Sequence, residues 1–391
     1  MNRQLADRVL HLEAEGAYAI LARAQELERQ GREILHLELG QPDFSTPENI
    51  KEMGIQAIRE NRTRYTAPSG IHRFRELIAE AAGRQRGVNV TPDMVVVGPG
   101  SKPGLFFPTI ALVQPGDEVI YPDPGFPTYS AMIGVAGGEG VPIPLSEENQ
   151  FSFDLDVFDR TISDKTKLII LNSPANPTGG VIPLDDLRHI AEKALKHDAW
   201  VLADEIYSRL VYDRMGTAPS MASVEGMLER TVIADGFSKT FAMPGWRLGY
   251  SISPPKLAER LGLLVTHSVG STAEFTQYAG IEALAGPQDF VVGMVIEYQR
   301  RRDRLVELLN AIPGVHVQKP QGAFYVFPNI KSFGISSREI QRRLLEEAGV
   351  AVLAGSDFGS GGSCYLRLAY ATSMDVIERA LERMAGFFSH L

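Results

Sequence analysis

The sequence predicts an α/β protein with a large, mainly parallel sheet covered by helices and a smaller α+β lobe. Short apolar runs ending in polar clusters recur along the middle of the chain, with helical stretches between most of them. This alternation is typical of buried parallel strands. After residue 286 a long helical pattern precedes alternating strand patterns and two further helices, which indicates a separate α+β unit.

The composition bounds the class of protein. The chain has 391 residues, 44% hydrophobic and 22% charged, enough for a core in two lobes. Its formal net charge of −9 argues against nucleic-acid binding. The single cysteine, Cys364, excludes an internal disulfide and fits a reducing compartment. We find neither an apolar signal core nor a membrane-length apolar run, so we expect a cytoplasmic protein without membrane contact.

The N-terminal quarter predicts one strand among helices. Residues 14–30 place apolar side chains at helical spacing and stop before Gly31, while residues 33–39 alternate like a half-buried strand. Thr46 and Pro47 are typical of a helix start. An irregular loop at 63–70 precedes a helix that ends near residue 84.

The middle of the chain predicts five buried strands, at 94–97, 118–121, 167–171, 200–203 and 231–234, and a helix at 184–197. A polar or glycine-rich cluster follows each strand. In parallel α/β sheets ligands bind beyond the carboxyl ends of the strands. We therefore expect these clusters to converge on one pocket.

The C-terminal part predicts the smaller lobe. A helix is expected over 288–312, strands over 315–317, 322–327 and 365–369, and helices over 337–348 and 373–388. We predict a large domain over 45–285 and a small domain formed by 1–44 together with 286–391.

Lys239 is the first candidate for chemistry. It follows the strand at 231–234 and the turn signal Asp235-Gly236, and it is flanked by small, hydroxyl and apolar residues. A desolvated lysine loses proton affinity and can act as an amine nucleophile, most usefully as a Schiff base to a carbonyl cofactor. Spacing alone leaves a solvated surface lysine equally open.

Several motifs, taken in order, carry a family resemblance. They are Gly40-Gln-Pro-Asp-Phe44, Asn176-Pro-Thr-Gly179, Asp204-Glu-Ile-Tyr207, Ser238-Lys239, Gly245-Trp-Arg-Leu-Gly249 and the segment 350–358. The chain resembles the class I/II aminotransferases, pyridoxal-phosphate enzymes of fold type I, and especially the aspartate aminotransferase-like subgroup. The resemblance implies a large domain with a sheet of the seven-stranded type between helices, and pyridoxal 5'-phosphate as cofactor.

The resemblance implies three catalytic residues. Lys239 would carry the cofactor and move the substrate proton, Asp204 would pair with the pyridinium nitrogen, and Tyr207 with Asn176 would bond the phenolic oxygen. From the residues alone, Asp204 is equally a helix N-cap and Asn176 a turn residue before Pro177.

The resemblance also implies a phosphate site and a homodimer. The remaining cofactor contacts would be Gly100, Ser101, Lys102, Ser238 and Arg247 around the phosphate, Phe126 on the ring face, and Tyr65 reaching the phosphate of the neighbouring subunit. Gly236 stands where many members carry a hydroxyl residue, so that contact is either absent or supplied by Ser238. A core aromatic at Phe126 and an ordinary loop tyrosine at Tyr65 stay open.

The substrate would be held by Arg367, Gly40 and Asn176. Arg367 matches the arginine that clamps the α-carboxylate, and its alternative is a strand-surface salt bridge. Lys102 matches a lysine that can read a second carboxylate, and its alternative is a solvated residue in the first turn of a helix.

We therefore expect a homodimeric aminotransferase of amino-acid metabolism without a metal site. It would move an amino group from an L-amino acid to a 2-oxo acid in ping-pong order, with aspartate or glutamate and 2-oxoglutarate favoured. Alanine, aromatic and diaminopimelate-type substrates stay open, as does a lyase on the same fold.

Overall fold

The computed structural model describes residues 5–10, 12, 16–212 and 216–391. The predicted helix start at residue 14 lies outside this part. The described strands, in chain order, are β1 Leu35–His36, β2 Val95–Gly98, β3 Glu118–Asp123, β4 Glu139–Pro144, β5 Thr166–Asn172, β6 Trp200–Asp204, β7 Thr231–Gly236, β8 Gly249–Ile252, β9 Tyr325–Val326, β10 Val350–Ala351, β11 Leu353–Ala354 and β12 Leu366–Ala369.

The α-helices include every long helix that the sequence predicts. They are α1 Asp7–Leu10, α2 Gly16–Arg29, α3 Glu48–Arg59, α4 His72–Arg86, α5 Lys102–Leu112, α6 Thr128–Ala136, α7 Leu155–Thr161, α8 Leu184–Lys196, α9 Phe237–Thr240, α10 Pro255–Ser268, α11 Glu274–Ala285, α12 Asp289–Asn310, α13 Ser337–Arg343 and α14 Met374–Phe388. A π-helical turn, Leu344–Ala348, prolongs α13 to the predicted end.

A seven-stranded sheet forms the centre of the large unit, in the order β2-β8-β7-β6-β5-β3-β4. Only β8 runs against its neighbours, so the sheet is mainly parallel, as predicted. The five predicted strands are confirmed. The sequence analysis missed β4 and β8. Gly140, Pro142 and Pro144 suggest a turn rather than a strand, and β4 tolerates prolines because it lies at the sheet edge.

Both faces of this sheet are buried. In β5, Leu168 and Ile170 pack with α5 and α6, whereas Ile169 and Leu171 pack on the opposite face with α7 and α8. Successive side chains of a strand point to opposite faces, so burial on both sides needs an uninterrupted apolar run. Such runs made these strands recognisable in the sequence.

The smaller sheets belong to a different core. β11, β12 and β9 form an antiparallel sheet, and β1 pairs in parallel with β10. Side chains of β1, β9, β10 and β12 pack with α12 and α14, and Tyr207 and Tyr212, which follow β6, join the same cluster. Leu353 of β11 instead packs with β5, α7 and α8. The α+β character of the second unit is confirmed, and its core includes residues from beyond the predicted boundary.

Three predicted strands are wrong in extent. Residues 315–317 form only an isolated bridge between His316 and Asn329, because the Asn310 side chain takes both the N–H and the carbonyl of Val317. The strand predicted at 322–327 shortens to β9, since Ala323 has a φ of +56°. Likewise the strand at 33–39 shortens to β1.

The described part of the chain holds no single helix that is both long and apolar enough to cross a membrane. α11 and α12 pass on length and composition only when they are taken together, as a pair bent by 80°.

Candidate active site

A cavity of about 570 Å³ lies beyond the carboxyl ends of β5, β6 and β7. It brings together residues from the N-terminal segment, the central sheet and β12. Of the predicted site residues, it is lined by Gly40, Ser101, Lys102, Phe126, Asn176, Asp204, Tyr207, Ser238, Lys239, Arg247 and Arg367. The expected convergence of the polar clusters on one pocket is confirmed.

Gly100 and Tyr65 do not line the cavity. Gly100 precedes the lining residue Ser101 and has a φ of +91°, and a Cβ there would collide with the guanidinium of Arg247. Tyr65 is 97% exposed on the loop between α3 and α4. Within one chain Tyr65 therefore contributes nothing to the cavity.

The Lys239 side chain lies inside the cavity, on the short helix α9 that follows β7. Its ammonium donates a hydrogen bond to the carbonyl of Gly40 and lies 5.6 Å from the ring centre of Phe324. Burial, followed by the charges of Arg367 and Arg247, lowers the pKa of Lys239 to about 8. A substantial fraction of this amine is neutral near physiological pH, and it is not a solvated surface lysine.

The predicted turn at Asp235-Gly236 is wrong. β7 continues through Gly236, which pairs with Gly249 of β8. A Cβ on Gly236 would lie 3.0 Å from the Cα of Gly249, so the glycine serves the close approach of two strands. After β7 the chain therefore leaves the sheet through a helical turn, which carries Lys239, rather than through a loop.

Asp204 is the last residue of β6 and is buried. Its Oδ2 accepts a hydrogen bond of 2.7 Å from Tyr129, and its Oδ1 lies 3.4 Å from the backbone N–H of Ile206. Burial raises the pKa of Asp204 to about 6, although the Tyr129 hydroxyl opposes that shift. The carboxylate is thus held at the cavity wall with incomplete compensation, and a cationic N–H partner would stabilise its charged form.

Tyr207 meets Tyr325 beside Lys239. The two phenol oxygens are 2.7 Å apart, and burial, with the Tyr325 phenol beside it, raises the pKa of Tyr207 well above its usual range. The Tyr207 hydroxyl therefore keeps its proton and can donate a hydrogen bond to a ligand. Gly40 allows this packing, since a Cβ there would collide with the Tyr325 hydroxyl.

Arg367 is buried on β12, so a surface salt bridge is excluded as its role. Its guanidinium donates to Asn176 Oδ1 at 3.2 Å and to the carbonyl of Glu38, and it stacks 4.6 Å from the ring centre of Tyr325. Its Nε is buried and has no hydrogen-bond partner in the part of the chain that the structure describes. Guanidinium N–H groups in this setting suit a planar carboxylate.

Another part of the cavity lining suits an anion. Ser101 and Lys102 open α5, whose first backbone N–H groups have no partner within the helix. Arg247 has a φ of +52°, uncommon for a non-glycine residue, and its guanidinium donates to the carbonyls of Pro244 and Pro99. Ser238, next to Lys239 on α9, lines the same cavity.

The geometry fits pyridoxal phosphate. The cavity offers an amine with a lowered pKa, a buried carboxylate without a cationic partner among the described residues, and a helix N-terminus with an arginine beside it. These groups would hold the carbonyl carbon, the ring nitrogen and the phosphate respectively. Phe126 lines the cavity and packs edge-on against Tyr129, at 5.8 Å between ring centres.

The sequence analysis missed Tyr129, Tyr325 and Asn172. Asn172 ends β5 and ties the loop after it to the end of β6, through its bonds to Asn176 N and the carbonyl of Asp204. Tyr129 follows Phe126 by three residues, at the start of a helix, and this spacing was a usable signal. For Tyr325 the alternating pattern predicted that the side chain is buried, but it gave no sign that Tyr207 would be its hydrogen-bond partner.

The comparisons with known proteins agree with this geometry. The family model described as aminotransferase class I and II matches residues 32–384. The asparagine–oxo-acid transaminase of Streptococcus mutans is 38% identical over 98% of this chain and 99% of its own length. The aromatic-amino-acid aminotransferase 2 of Thermococcus litoralis is 38% identical over 90% of each chain.

The fold agrees equally well with solved structures. The aspartate aminotransferase of Thermus thermophilus with maleate has a TM-score of 0.93 and 38% identity, over 98% of this chain and 99% of that one. Aminotransferases of this family act on amino-acid and 2-oxo-acid substrates. The chain belongs to the class I and II aminotransferases and is a pyridoxal-phosphate-dependent enzyme of fold type I.

Proposed function

We propose that this aminotransferase takes the amino group of aspartate or glutamate and passes it to 2-oxoglutarate in ping-pong order. The observation that carries the proposal is that two cationic side chains, Arg367 and Lys102, line the same cavity as the Lys239 amine. A dicarboxylic amino acid carries two anionic groups to match them. Lys102 lies 5.3 Å from the ring centre of Phe126.

We assign the site residues as follows. When bound, pyridoxal phosphate supplies the carbonyl that takes the amino group and the ring that withdraws electrons from the substrate Cα. Lys239 Nζ takes the proton from Cα and returns one in the second half-reaction. Asp204 holds the proton of the ring nitrogen in place, and Tyr207 and Asn176 orient the ring through its phenolic oxygen.

The other assignments concern anions. Arg367 clamps the α-carboxylate while Gly40 lies close to it, and Asn176 touches the same guanidinium. The phosphate is assigned to the backbone of Gly100, Ser101 and Lys102 and to the side chains of Ser238 and Arg247, which leaves the Lys102 side chain for the substrate; the ring face is assigned to Phe126. Ser238 replaces the hydroxyl contact that is missing at Gly236.

We also propose a homodimer in which Tyr65 reaches the partner's phosphate. Its nearly full exposure supports this, as does a cavity of about 790 Å³ beside Arg247 that a residue from a second chain can enter. Ile55 and Ile58 of α3 are also exposed, and burying them would favour association. The division into a domain of 45–285 and a domain of 1–44 with 286–391 belongs to the same proposal.

The test is a half-reaction titration of the cofactor-loaded protein with single amino acids, followed by the visible spectrum. Aspartate and glutamate should convert the cofactor to its amine form at lower concentration than alanine, phenylalanine or asparagine. Lys102→Met should raise the concentration of aspartate or glutamate that is needed for conversion and leave the concentration needed for phenylalanine almost unchanged. Preference for a neutral donor, or equal loss for all donors, would refute the dicarboxylate assignment; release of ammonia and pyruvate would indicate a lyase.

A further inference from the structure

Gln277 of α11 is a polar side chain that the proposed reaction does not use, and it is fully buried, with 0% exposure. Its Oε1 accepts a hydrogen bond of 2.8 Å from the backbone N–H of Ile71. Its Nε2 donates to Thr66 Oγ1 at 3.0 Å and to the backbone carbonyl of Thr272 at 2.8 Å. Both hydrogens of the amide nitrogen and one lone pair of the oxygen therefore have partners. A buried amide with this many bonds fixes the segments that it contacts.

Two of these bonds reach the loop between α3 and α4, which carries Tyr65. Thr66 directly follows Tyr65, and the residue directly before it, Arg64, donates its backbone N–H to Glu274 Oε2 at 2.9 Å. Glu274 and Gln277 are three positions apart on α11, so they lie on the same face of that helix. The residues on both sides of Tyr65 are thus held by α11, although the Tyr65 side chain itself is exposed.

The far end of the same loop lies against β2. The backbone N–H of Val97 donates to the carbonyl of Ser69 at 3.0 Å. Gly70 has a φ of +105°, and a Cβ there would collide with the Val97 side chain. Together with Gln277, these contacts hold the loop at several points between residues 64 and 71. A side chain on a loop that is already fixed loses less conformational entropy when it binds.

The third bond of Gln277 reaches a different surface. Thr272 lines the cavity of about 790 Å³ beside Arg247, which the proposed function assigns to a residue of a second chain. A homodimer with two-fold symmetry uses the same surfaces on each protomer. One amide therefore connects the loop that would enter the partner's site to the cavity that would receive the partner's Tyr65.

We propose that Gln277 is the positioning residue for Tyr65, and that cofactor binding in the partner's site depends on it through the loop between α3 and α4. This rests on the proposed function, in which Tyr65 contacts the partner's phosphate. Loss of the Gln277 amide leaves the Tyr65 hydroxyl in the chain but no longer fixes its direction. The partner's site then loses a hydrogen bond to a charged group, which is stronger than one between neutral groups.

The first measurement uses the full chain without cofactor and does not depend on the role of Tyr65. Gln277→Met keeps the length of the side chain and removes its three hydrogen bonds, so the amides of residues 64–71 should exchange hydrogen for deuterium roughly tenfold faster. Gln341→Met is the matched control, because Gln341 is also buried but donates to the carbonyl of Val352. The control should leave the exchange of this loop unchanged. Unchanged exchange in Gln277→Met would overturn the inference.

The second measurement is the dissociation constant of pyridoxamine phosphate, the amine form of the cofactor, by calorimetry on protein that sedimentation shows to be dimeric. Tyr65→Phe and Gln277→Met should each weaken binding roughly tenfold. The double variant should bind no more weakly than Tyr65→Phe, since Gln277 acts through Tyr65. Thr66→Val removes one of the three bonds and should weaken binding about threefold. Pyridoxamine, which lacks the phosphate, should bind equally to wild type and to all of these variants.

The outcomes separate the two assignments. Unchanged pyridoxamine phosphate binding in Tyr65→Phe would overturn the assignment of Tyr65 to the partner's phosphate. A loss in Tyr65→Phe with unchanged binding in Gln277→Met, or a fully additive loss in the double variant, would overturn the role of Gln277. An equal loss for pyridoxamine would also overturn it, because the site would then be distorted as a whole. If Gln277→Met does not fold, the same cycle with Thr66→Val decides.

Discussion

Two groups of buried charges lie side by side at the carboxyl edge of the sheet, and their hydrogen bonding differs. In the first, Arg86 of α4 joins Glu205, at 2.8 Å, to Asp235, at 3.0 Å. Each oxygen of both carboxylates has a donor. Beyond Arg86, the donors are the hydroxyls of Ser220 and Tyr250 and the backbone N–H of Gly236.

The second group lines the cavity and is much less complete. Asp204 directly precedes Glu205, yet it accepts one short hydrogen bond, and burial raises its pKa. The pKa of Lys239 is lowered, and the Nε of Arg367 has no hydrogen-bond partner among the described residues. Asp204 and Glu205 are thus adjacent in the chain but differ in their hydrogen bonding. Donors of the chain itself fill both oxygens of Glu205, whereas the Asp204 carboxylate still needs a donor, which a ligand can supply. Burial raises the pKa of Asp235 as well, so incomplete hydrogen bonding, rather than a shifted pKa alone, distinguishes the active site from structural charges of equal burial.

The largest effect is expected from Lys239→Ala. Removal of the amine eliminates the covalent link to the cofactor and the group that transfers the Cα proton. The visible band of the bound cofactor should shift, and turnover should fall by at least the 10²- to 10⁴-fold that a positioned proton-transfer group contributes. Lys256→Ala, on the exposed side of α10, is the matched control. A Lys239→Ala rate near that of wild type would remove this residue from the mechanism.

Arg86→Met tests the first group, in which Arg86 pairs with Glu205 and Asp235. It leaves two buried carboxylates, Glu205 and Asp235, without their cation, and breaking a buried ion pair in this way costs about 3–5 kcal/mol of unfolding free energy. Denaturant unfolding of the variant measures the loss. Arg84→Met, two residues earlier and exposed on the same helix, should change stability little. Equal losses of unfolding free energy in Arg86→Met and Arg84→Met would mean that the buried ion pairs of Arg86 do not stabilise the fold more than an exposed arginine does.

Arg367→Ala is the counterpart in the cavity. The affinity for amino-acid donors should fall by the value of a buried charged hydrogen-bond pair, on the order of 2–5 kcal/mol. The unfolding free energy of the cofactor-free protein should fall less than in Arg86→Met, because Arg367 has no carboxylate side chain hydrogen-bonded to it in the described part of the chain. Donor titrations and denaturant curves are measured on the same samples. A large loss of unfolding free energy with unchanged donor affinity would mean that Arg367 stabilises the fold, as Arg86 does, and does not bind the substrate.

The fold was largely predictable because its signals are local. β5 and its parallel neighbours are buried on both faces, which requires apolar runs that stand out in the sequence. β4 was missed because an edge strand can carry Pro142 and Pro144, residues that suggest a turn. The alternation of Val315 and Val317 did report burial correctly. It did not report pairing, since a side chain, Asn310, occupies the backbone groups that a strand would offer.

In the cavity, what could be predicted was the set of residues that follow strand ends, together with the motifs of the family. The hydrogen bonds that hold these residues in place and shift their pKa values were not predictable, because each of these bonds joins segments far apart in the chain. Tyr129 and Asp204 are 75 positions apart, and Arg367 and Glu38 are 329 apart. No spacing rule covers such distances. Residue type predicts what Asp204 can do, whereas its missing partners are visible only in the folded chain.

The smallest effect expected is a pH-dependent gain in stability from Asp204→Asn in the cofactor-free protein. Burial raises the Asp204 pKa from 3.8 to about 6, so between these values the folded state binds a proton that the unfolded state does not. The associated stability is present below about pH 4 and is lost as the pH rises through about 6. Asparagine cannot ionise and keeps the neutral shape, so the variant should gain on wild type by up to about 3 kcal/mol at pH 7.

Denaturant unfolding of both proteins at several values between pH 4 and pH 7 measures this difference. Loading with pyridoxal phosphate is the control, since a cationic ring nitrogen would compensate the carboxylate and stabilise the wild type more than the variant. A difference that does not change with pH would mean that Asp204 is already compensated within the chain, as Glu205 is. The contrast between the two neighbouring carboxylates would then rest on hydrogen-bond geometry rather than on charge.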